Sequence, residues 1–131
     1  MTLIKSISGI RGTIGGKAGQ SLSPIDIVKY TSSYVAWVKN KQPNAAKIIV
    51  GRDARISGAM VRNIVVSTIQ SLGLDVIDLG LSTTPTVEMA VQFAAADGGI
   101  ILTASHNPRE WNALKLLNHK GEFISAEDGQ W

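Results

Sequence analysis

Residues 47–80 read KIIVGRDARISGAMVRNIVVSTIQSLGLDVIDLG, and the order of patterns in this stretch decides the fold. Lys47-Ile48-Ile49-Val50 is a short aliphatic run stopped by Gly51. Runs of this kind mark strands covered on both faces. From Ser57 the period changes: Val61, Ile64, Val65, Thr68, Ile69 and Leu72 recur three and four apart, as one face of a helix, and Gly73 suits its C-terminal stop. Asp75-Val76-Ile77-Asp78-Leu79 then alternates polar and apolar residues and ends at Gly80, as a strand does. A strand, a helix and a strand in this order form a right-handed crossover unit with parallel strands.

The same pattern extends in both directions. Upstream, Ser23-Pro24-Ile25-Asp26 opens a helix: a serine can cap, a proline fits the first helical position, and an acid suits the electropositive first turn. Ile27, Tyr30, Tyr34 and Val38 supply its buried stripe, widened by Val28 and Val35, and Pro43-Asn44 ends it. Trp37 reads as packing at the helix edge and Trp111 as a loop anchor. Downstream, Thr84-Pro85 opens a third helix with Val87, Ala90, Val91 and Ala94 on its core side. Gly99-Ile100-Ile101-Leu102-Thr103 follows as a strand, and Ala113-Leu114-Lys115-Leu116-Leu117 as another, turning at Lys120-Gly121. No helix separates these last two strands, so they should run antiparallel. The fold class predicted is α/β, a three-layer α/β/α arrangement with a mixed, mostly parallel sheet.

Composition agrees. The chain has 131 residues, room for one domain, and 44% are hydrophobic against 5% aromatic, an aliphatic balance that suits such a sheet. It has no cysteine, which excludes disulfides and thiolate metal sites. Apolar runs are far too short to cross a membrane. The first residues, Met1-Thr2-Leu3-Ile4-Lys5, lack the pattern of a secretory signal, so a cytoplasmic location is expected. A net charge of +3 suits anionic small molecules and nucleic acid equally and alone decides nothing, but nucleic-acid binding lacks the aromatic residues interleaved with a basic patch that it needs. Ser125-Ala126-Glu127-Asp128 reads as the first turn of a further helix that three remaining residues cannot complete. The chain is therefore expected to be part of a longer protein.

In open α/β sheets, ligands bind beyond the carboxyl ends of the strands. Those positions here are Gly51-Arg52-Asp53-Ala54-Arg55, Gly80-Leu81-Ser82-Thr83-Thr84-Pro85 and Thr103-Ala104-Ser105-His106-Asn107-Pro108, to which the N-terminal segment Ser8-Gly9-Ile10-Arg11-Gly12 adds a fourth. Arginines, hydroxyls and glycines in converging loops are the groups that hold phosphate. Arg52, Asp53 and Arg55 divide evenly between that role and an ion pair bracing their loop. Ser105 lacks the Gly-x-Ser-x-Gly elbow of a hydrolase, and His106, adjacent in sequence, is badly placed as its base. A serine that carries phosphate needs cations or a metal instead, and Lys115, Arg11 and His106 are suitable types.

Thr103-Ala104-Ser105-His106-Asn107-Pro108, with Asn112 and Lys115 after it, resembles the active-serine loop of the α-D-phosphohexomutases, the superfamily of phosphoglucomutase, phosphomannomutase and phosphoglucosamine mutase. Gly9-Ile10-Arg11-Gly12, Gly51-Arg52-Asp53-Ala54-Arg55-Ile56-Ser57-Gly58 and Thr84-Pro85 resemble its other motifs, in family order. Two departures are Lys5-Ser6-Ile7 in place of Phe-Gly-Thr and Ala113 in place of a glycine. The resemblance implies that residues 1–131 are domain I of a four-domain enzyme that interconverts hexose 1- and 6-phosphates through a bisphosphate. Ser105 would carry the phosphate and present it to Mg2+. Lys115 would stabilise charge or assist proton transfer, and His106 and Arg11 would support the phosphoserine. The remaining metal ligands, an Asp-x-Asp-x-Asp run, do not occur in this chain, so the 131 residues alone should fold without turning over substrate. The partners implied are a hexose phosphate and the other domains. A non-catalytic phosphate- or nucleotide-binding module is the competing reading; it would need no phosphorylated serine.

Overall fold

A computed structural model describes residues 3–6, 9–16, 21–54, 57–103 and 111–124. In chain order the elements are β1 (Ile4–Ser6), β2 (Gly9–Thr13), α1 (Pro24–Lys41), β3 (Lys47–Arg52), α2 (Gly58–Ser71), β4 (Asp75–Leu81), α3 (Thr84–Phe93), β5 (Gly98–Leu102) and β6 (Trp111–Leu117). The strands form one sheet in the order β1-β2-β6-β5-β3-β4. β3 pairs in parallel with β4 and β5, as the crossover pattern requires. β6 lies antiparallel to β5, as expected from the absence of a helix between them. β2 is antiparallel to β6, and β1 to β2. Four of the six strands therefore point the same way, and the sheet is mixed.

Helix starts follow local chemistry. At α1, Ser23 accepts from the Asp26 amide at 3.3 Å while the Asp26 carboxylate accepts from the Ser23 amide and hydroxyl, so two otherwise orphaned donors are satisfied reciprocally. At α3 the cap is Thr83, one residue before the predicted one, and Pro85 fits the first turn. Both sheet faces are covered at β3 and β5. Ile48, Val50, Ile100 and Leu102 join Ile27, Tyr34, Val61, Val65 and Ile69 of α1 and α2 in the larger core, and Ile49 and Ile101 join Val87 and Val91 of α3 in the smaller. Each such aliphatic side chain, removed from water, contributes about 1.5–3 kcal/mol. Trp37 is buried and stacks on Tyr34, with ring centroids 5.9 Å apart.

Three expectations need correction. Val28 does not belong to the buried stripe of α1; it is 44% exposed, because the helix turns that flank outward. Trp111 is the first residue of β6 rather than part of a loop. Gly9-Ile10-Arg11-Gly12, read with Ser8 as a loop, lies in strand β2, whose backbone hydrogen-bonds β6. The helix expected from Ser125 lies outside the described residues. Among the described residues no helix is long and apolar enough to cross a membrane.

Candidate functional site

The carboxyl ends of β3, β4 and β5 lie side by side, and backbone bonds hold the connections there together. The Ser82 amide donates to the Arg52 carbonyl at 2.9 Å, and the Asp53 amide to the Leu102 carbonyl at 3.1 Å. The first connection is thus clamped by the other two. Ser105 and His106, together with Arg55 and Ser8, lie outside the described residues. What can be built is the frame on which the serine-bearing segment 104–110 hangs: Thr103 before it and β6 after it.

Arg11 and Lys115 come from opposite ends of the chain and share one face of the sheet. Gly9 is paired with Lys115, and Arg11 with Ala113. Cross-strand partners and alternate residues lie on the same face, so Arg11 and Lys115 are diagonal neighbours, a spacing of about 7–8 Å that long side chains readily span. Lys115 is also level with Ile101, whose side chain belongs to the smaller core under α3. The two cations are therefore on the α3 side of the sheet. α3 itself packs on β3 and β5. Beyond it, Arg11 is exposed and Lys115 half-buried. Two cationic residues thus occupy neighbouring positions on one face of the sheet.

Gly9 makes this approach possible. A Cβ there would collide with the Leu114 carbonyl oxygen, so β2 could not lie against β6 with any larger residue at that position. A continuous row crosses the sheet at this level. Arg11 opposes Ala113; the Ala113 carbonyl accepts from the Thr103 amide at 3.2 Å; and the Thr103 hydroxyl donates to the Asp53 carboxylate at 2.6 Å. The brace expected around Asp53 thus includes a hydrogen bond from Thr103. The Arg52 guanidinium donates to the Asp53 carbonyl at 3.4 Å.

Sequence reasoning named Asn112 without giving it a task. It is fully buried, and its side-chain amide donates to the Ser57 hydroxyl at 2.9 Å. A polar side chain inside an otherwise apolar strand was the available signal, since buried amides need partners. Near the far edge of the sheet, Asp78 pairs with Arg62 at 2.6 Å. Partial burial pushes its carboxyl up, but the Gly80 amide and the Arg62 guanidinium outweigh this and hold it below the usual carboxylate range. Among the described residues no cluster of three His, Cys, Asp or Glu side chains could hold a metal ion.

Comparison with known proteins places this frame. Residues 3–131 match the family described as phosphoglucomutase/phosphomannomutase, alpha/beta/alpha domain I. The chain is 37% identical over 118 residues to the phosphoglucomutase/phosphomannomutase of Thermococcus kodakarensis, covering 88% of this chain and 26% of that protein. It is 39% identical over 119 residues to the phosphoglucosamine mutase of Alkaliphilus metalliredigens, covering 91% of this chain and 25% of that one. It therefore spans about a quarter of the length of these relatives. The fold is similar to a solved structure from Thermus thermophilus, with a TM-score of 0.82 at 24% identity over 99% of this chain and 29% of the other. It is also similar to a phosphoglucomutase/phosphomannomutase family protein from Burkholderia thailandensis, with a TM-score of 0.74 at 22% identity over 94% and 28%.

Proposed function

We propose, from the premise that this chain belongs to the phosphoglucomutase/phosphomannomutase family, that it is the serine-bearing part of a phosphohexomutase that interconverts hexose 1-phosphate and hexose 6-phosphate. The observation that supports the reading is that Arg11 and Lys115 are diagonal neighbours on one sheet face, Lys115 on the strand that follows the segment containing Ser105 and Arg11 on the strand paired with it. A phosphoryl group in flight spreads negative charge over three oxygens, so positioned cations supply much of the catalysis.

In this reading Ser105 starts as the phosphoserine. The free hydroxyl of a hexose monophosphate attacks its phosphorus. The bond from phosphorus to the serine oxygen breaks, a new bond to the sugar oxygen forms, the sugar hydroxyl proton passes to a base, and the serine oxygen takes up a proton to become the free hydroxyl. The hexose bisphosphate reorients, and its other phosphate returns to Ser105, so one phosphate leaves the enzyme for each one gained. Lys115 stabilises the transferring charge or assists the proton transfer, and Arg11 and His106 support the phosphoserine.

Mg2+ is proposed to act through the Ser105 phosphate. The described residues do not make a site for it by themselves: no three-ligand cluster exists among them, and the Asp53 carboxylate already accepts from Thr103. The remaining ligands would come from outside these residues, and the 131-residue chain alone is expected to be inactive. The test is mass spectrometry and a mutase assay on the natural full-length protein. Phosphate should sit on Ser105, and Ser105→Ala should remove it and lower activity by several orders of magnitude. Phosphate on a different serine in active enzyme would overturn the assignment.

A further inference from the structure

Two side-chain hydrogen bonds fasten the segment that carries Ser105 at both of its ends, and both reach the same neighbouring connection. Before the segment, the Thr103 hydroxyl donates to Asp53 at 2.6 Å. After it, the Asn112 amide donates to Ser57 at 2.9 Å. Asp53 and Ser57 are themselves the two ends of the connection between β3 and α2. Residues 103 and 112 are thus fixed against residues 53 and 57, some fifty positions away in the chain, as the separations of 50 and 55 show.

The bond between Asn112 and Ser57 is not what local stability alone would choose. Ser57 stands at the N-cap of α2, yet its side chain makes no cap bond to its own helix and its hydroxyl serves Asn112 instead. A serine cap is ordinarily worth about 1 kcal/mol, so that contribution is forgone. Asn112 is a fully buried amide in a strand whose neighbours Ala113 and Leu114 are buried and apolar. The close fit extends to Gly58, where a Cβ would lie 3.1 Å from the Arg52 guanidinium and 3.3 Å from the Asp53 carbonyl oxygen. Any side chain at position 58 would press on the Arg52 guanidinium that bonds Asp53.

We infer that Asp53 and Asn112 are positioning residues for phosphoryl transfer, acting through Thr103 and Ser57 to fix both ends of the Ser105 segment; this rests on the function proposed above. A carrier serine must present one oxygen in the same place for two transfers of opposite direction. Small misplacements of reacting groups cost much in rate while leaving remote binding contacts intact. The fasteners therefore act on turnover and leave affinity nearly unchanged.

The experiment uses the natural full-length protein. Thr103→Val and Asp53→Ala should each lower kcat by about ten- to a hundredfold, with KM within about threefold of normal, by the same argument that remote contacts persist. Thr103→Ser, which keeps the hydroxyl, should restore kcat to within about threefold. The double variant Asp53→Ala/Thr103→Val should lose clearly less than the product of the two single losses, since both single changes remove the bond the residues share. Asn112→Ala should behave like Asp53→Ala, and Ser57→Ala should reproduce it without cutting the buried amide. Phosphate on Ser105 is read in parallel by peptide mass spectrometry. Unchanged kcat in Thr103→Val, losses that multiply in the double variant, or failure of Thr103→Ser to rescue would each overturn the inference. Should a valine or alanine variant fail to fold, the Thr103→Ser and Ser57→Ala measurements still decide: a slow Thr103→Ser or a fully active Ser57→Ala counts against it. If Ser105 carries no phosphate and Ser105→Ala stays active, the function itself fails and takes this inference with it. If Ser105 is phosphorylated and turnover ignores the fasteners, only the inference falls.

Discussion

The sheet has two unlike halves. In β3, β4 and β5, all parallel, the central strands are sandwiched between α1 and α2 on one face and α3 on the other, and Ile48, Ile49, Val50, Ile100, Ile101 and Leu102 are all essentially fully buried. In β6, β2 and β1, all antiparallel to their neighbours, Ile10, Leu114 and Leu116 face the larger core while the opposite face carries Arg11 and Lys115. The difference follows from connection chemistry. A parallel pair needs a crossover helix, which covers a face and demands apolar side chains beneath it. An antiparallel pair needs only a short connection, so a face can stay open for charge. One half holds the fold together, the other can carry cations, and the Ser105 segment joins them between β5 and β6.

The sharpest way to break this contrast is to cut the parallel half. Ile49→Ala should cost about 2–5 kcal/mol in urea denaturation, because Ile49 is completely enclosed beneath α3. A cost below about 1 kcal/mol would mean that this half is not where stability resides.

Next in size, Lys115→Met should lower kcat of the natural full-length protein about a hundredfold and leave the denaturation midpoint nearly unchanged. The alkyl stem survives, and only the charge is lost. A rise confined to KM would make Lys115 a binding residue and weaken the contrast from the other side.

Tyr34 offers a measurement inside the covered half. Its hydroxyl donates to the Leu117 carbonyl at 2.5 Å and accepts from the Gly99 amide at 2.9 Å. Tyr34→Phe should cost about 1–3 kcal/mol, since buried backbone groups lose their partner. Burial pushes this hydroxyl far above its ordinary range; the Gly99 bond opposes the rise and the Asp97 charge adds to it. A raised folded pKa stabilises fully below the unfolded value, so the contribution should decline as pH climbs above about 10. Denaturation from neutral to alkaline pH should show this loss in the natural chain and less of it in Tyr34→Phe; equal slopes would refute the assignment.

The smallest effect belongs at the sheet edge. Arg62→Ala should cost under about 1 kcal/mol, as a half-exposed pair does. Asp78 should titrate closer to the ordinary carboxylate range in that variant, followed by NMR. With its pKa depressed in the folded state, its contribution is present at neutral pH and is lost as pH falls through the folded pKa. An unmoved titration would show that the Gly80 amide and the Arg52 charge hold Asp78 down without Arg62.

What could be read from the residues divides along the same line. The crossover half was legible because its signals are local: aliphatic runs in β3 and β5, a helical stripe in α2, and cap-then-proline starts at Ser23-Pro24 and near Thr84-Pro85. The antiparallel direction of β6 was legible too, from the lack of a helix before it. β2 was not. Gly9-Ile10-Arg11-Gly12-Thr13 contains two glycines and one apolar residue, and its strand identity comes wholly from its partner. Arg11 and Lys115 could be nominated by type and by family resemblance, whereas their common face required the register. Thr103 to Asp53 and Asn112 to Ser57 are pairings across some fifty residues, which no local pattern encodes.

The strand order has a consequence for how the chain is made. The N-terminal hairpin docks on β6, so Gly9 must wait for Lys115 to be synthesised before it finds its place. The crossover units need no such delay, since β3 meets β4 and β5 through intervening helices soon after each emerges. Long-range closure is entropically costly and slow. On a ribosome β1 and β2 can pair with each other early but are the last to join the rest of the sheet, and the cation-bearing face assembles only after the scaffold beside it has formed. Pulse-labelled hydrogen exchange should find the β3 and β5 amides protected before those of β2.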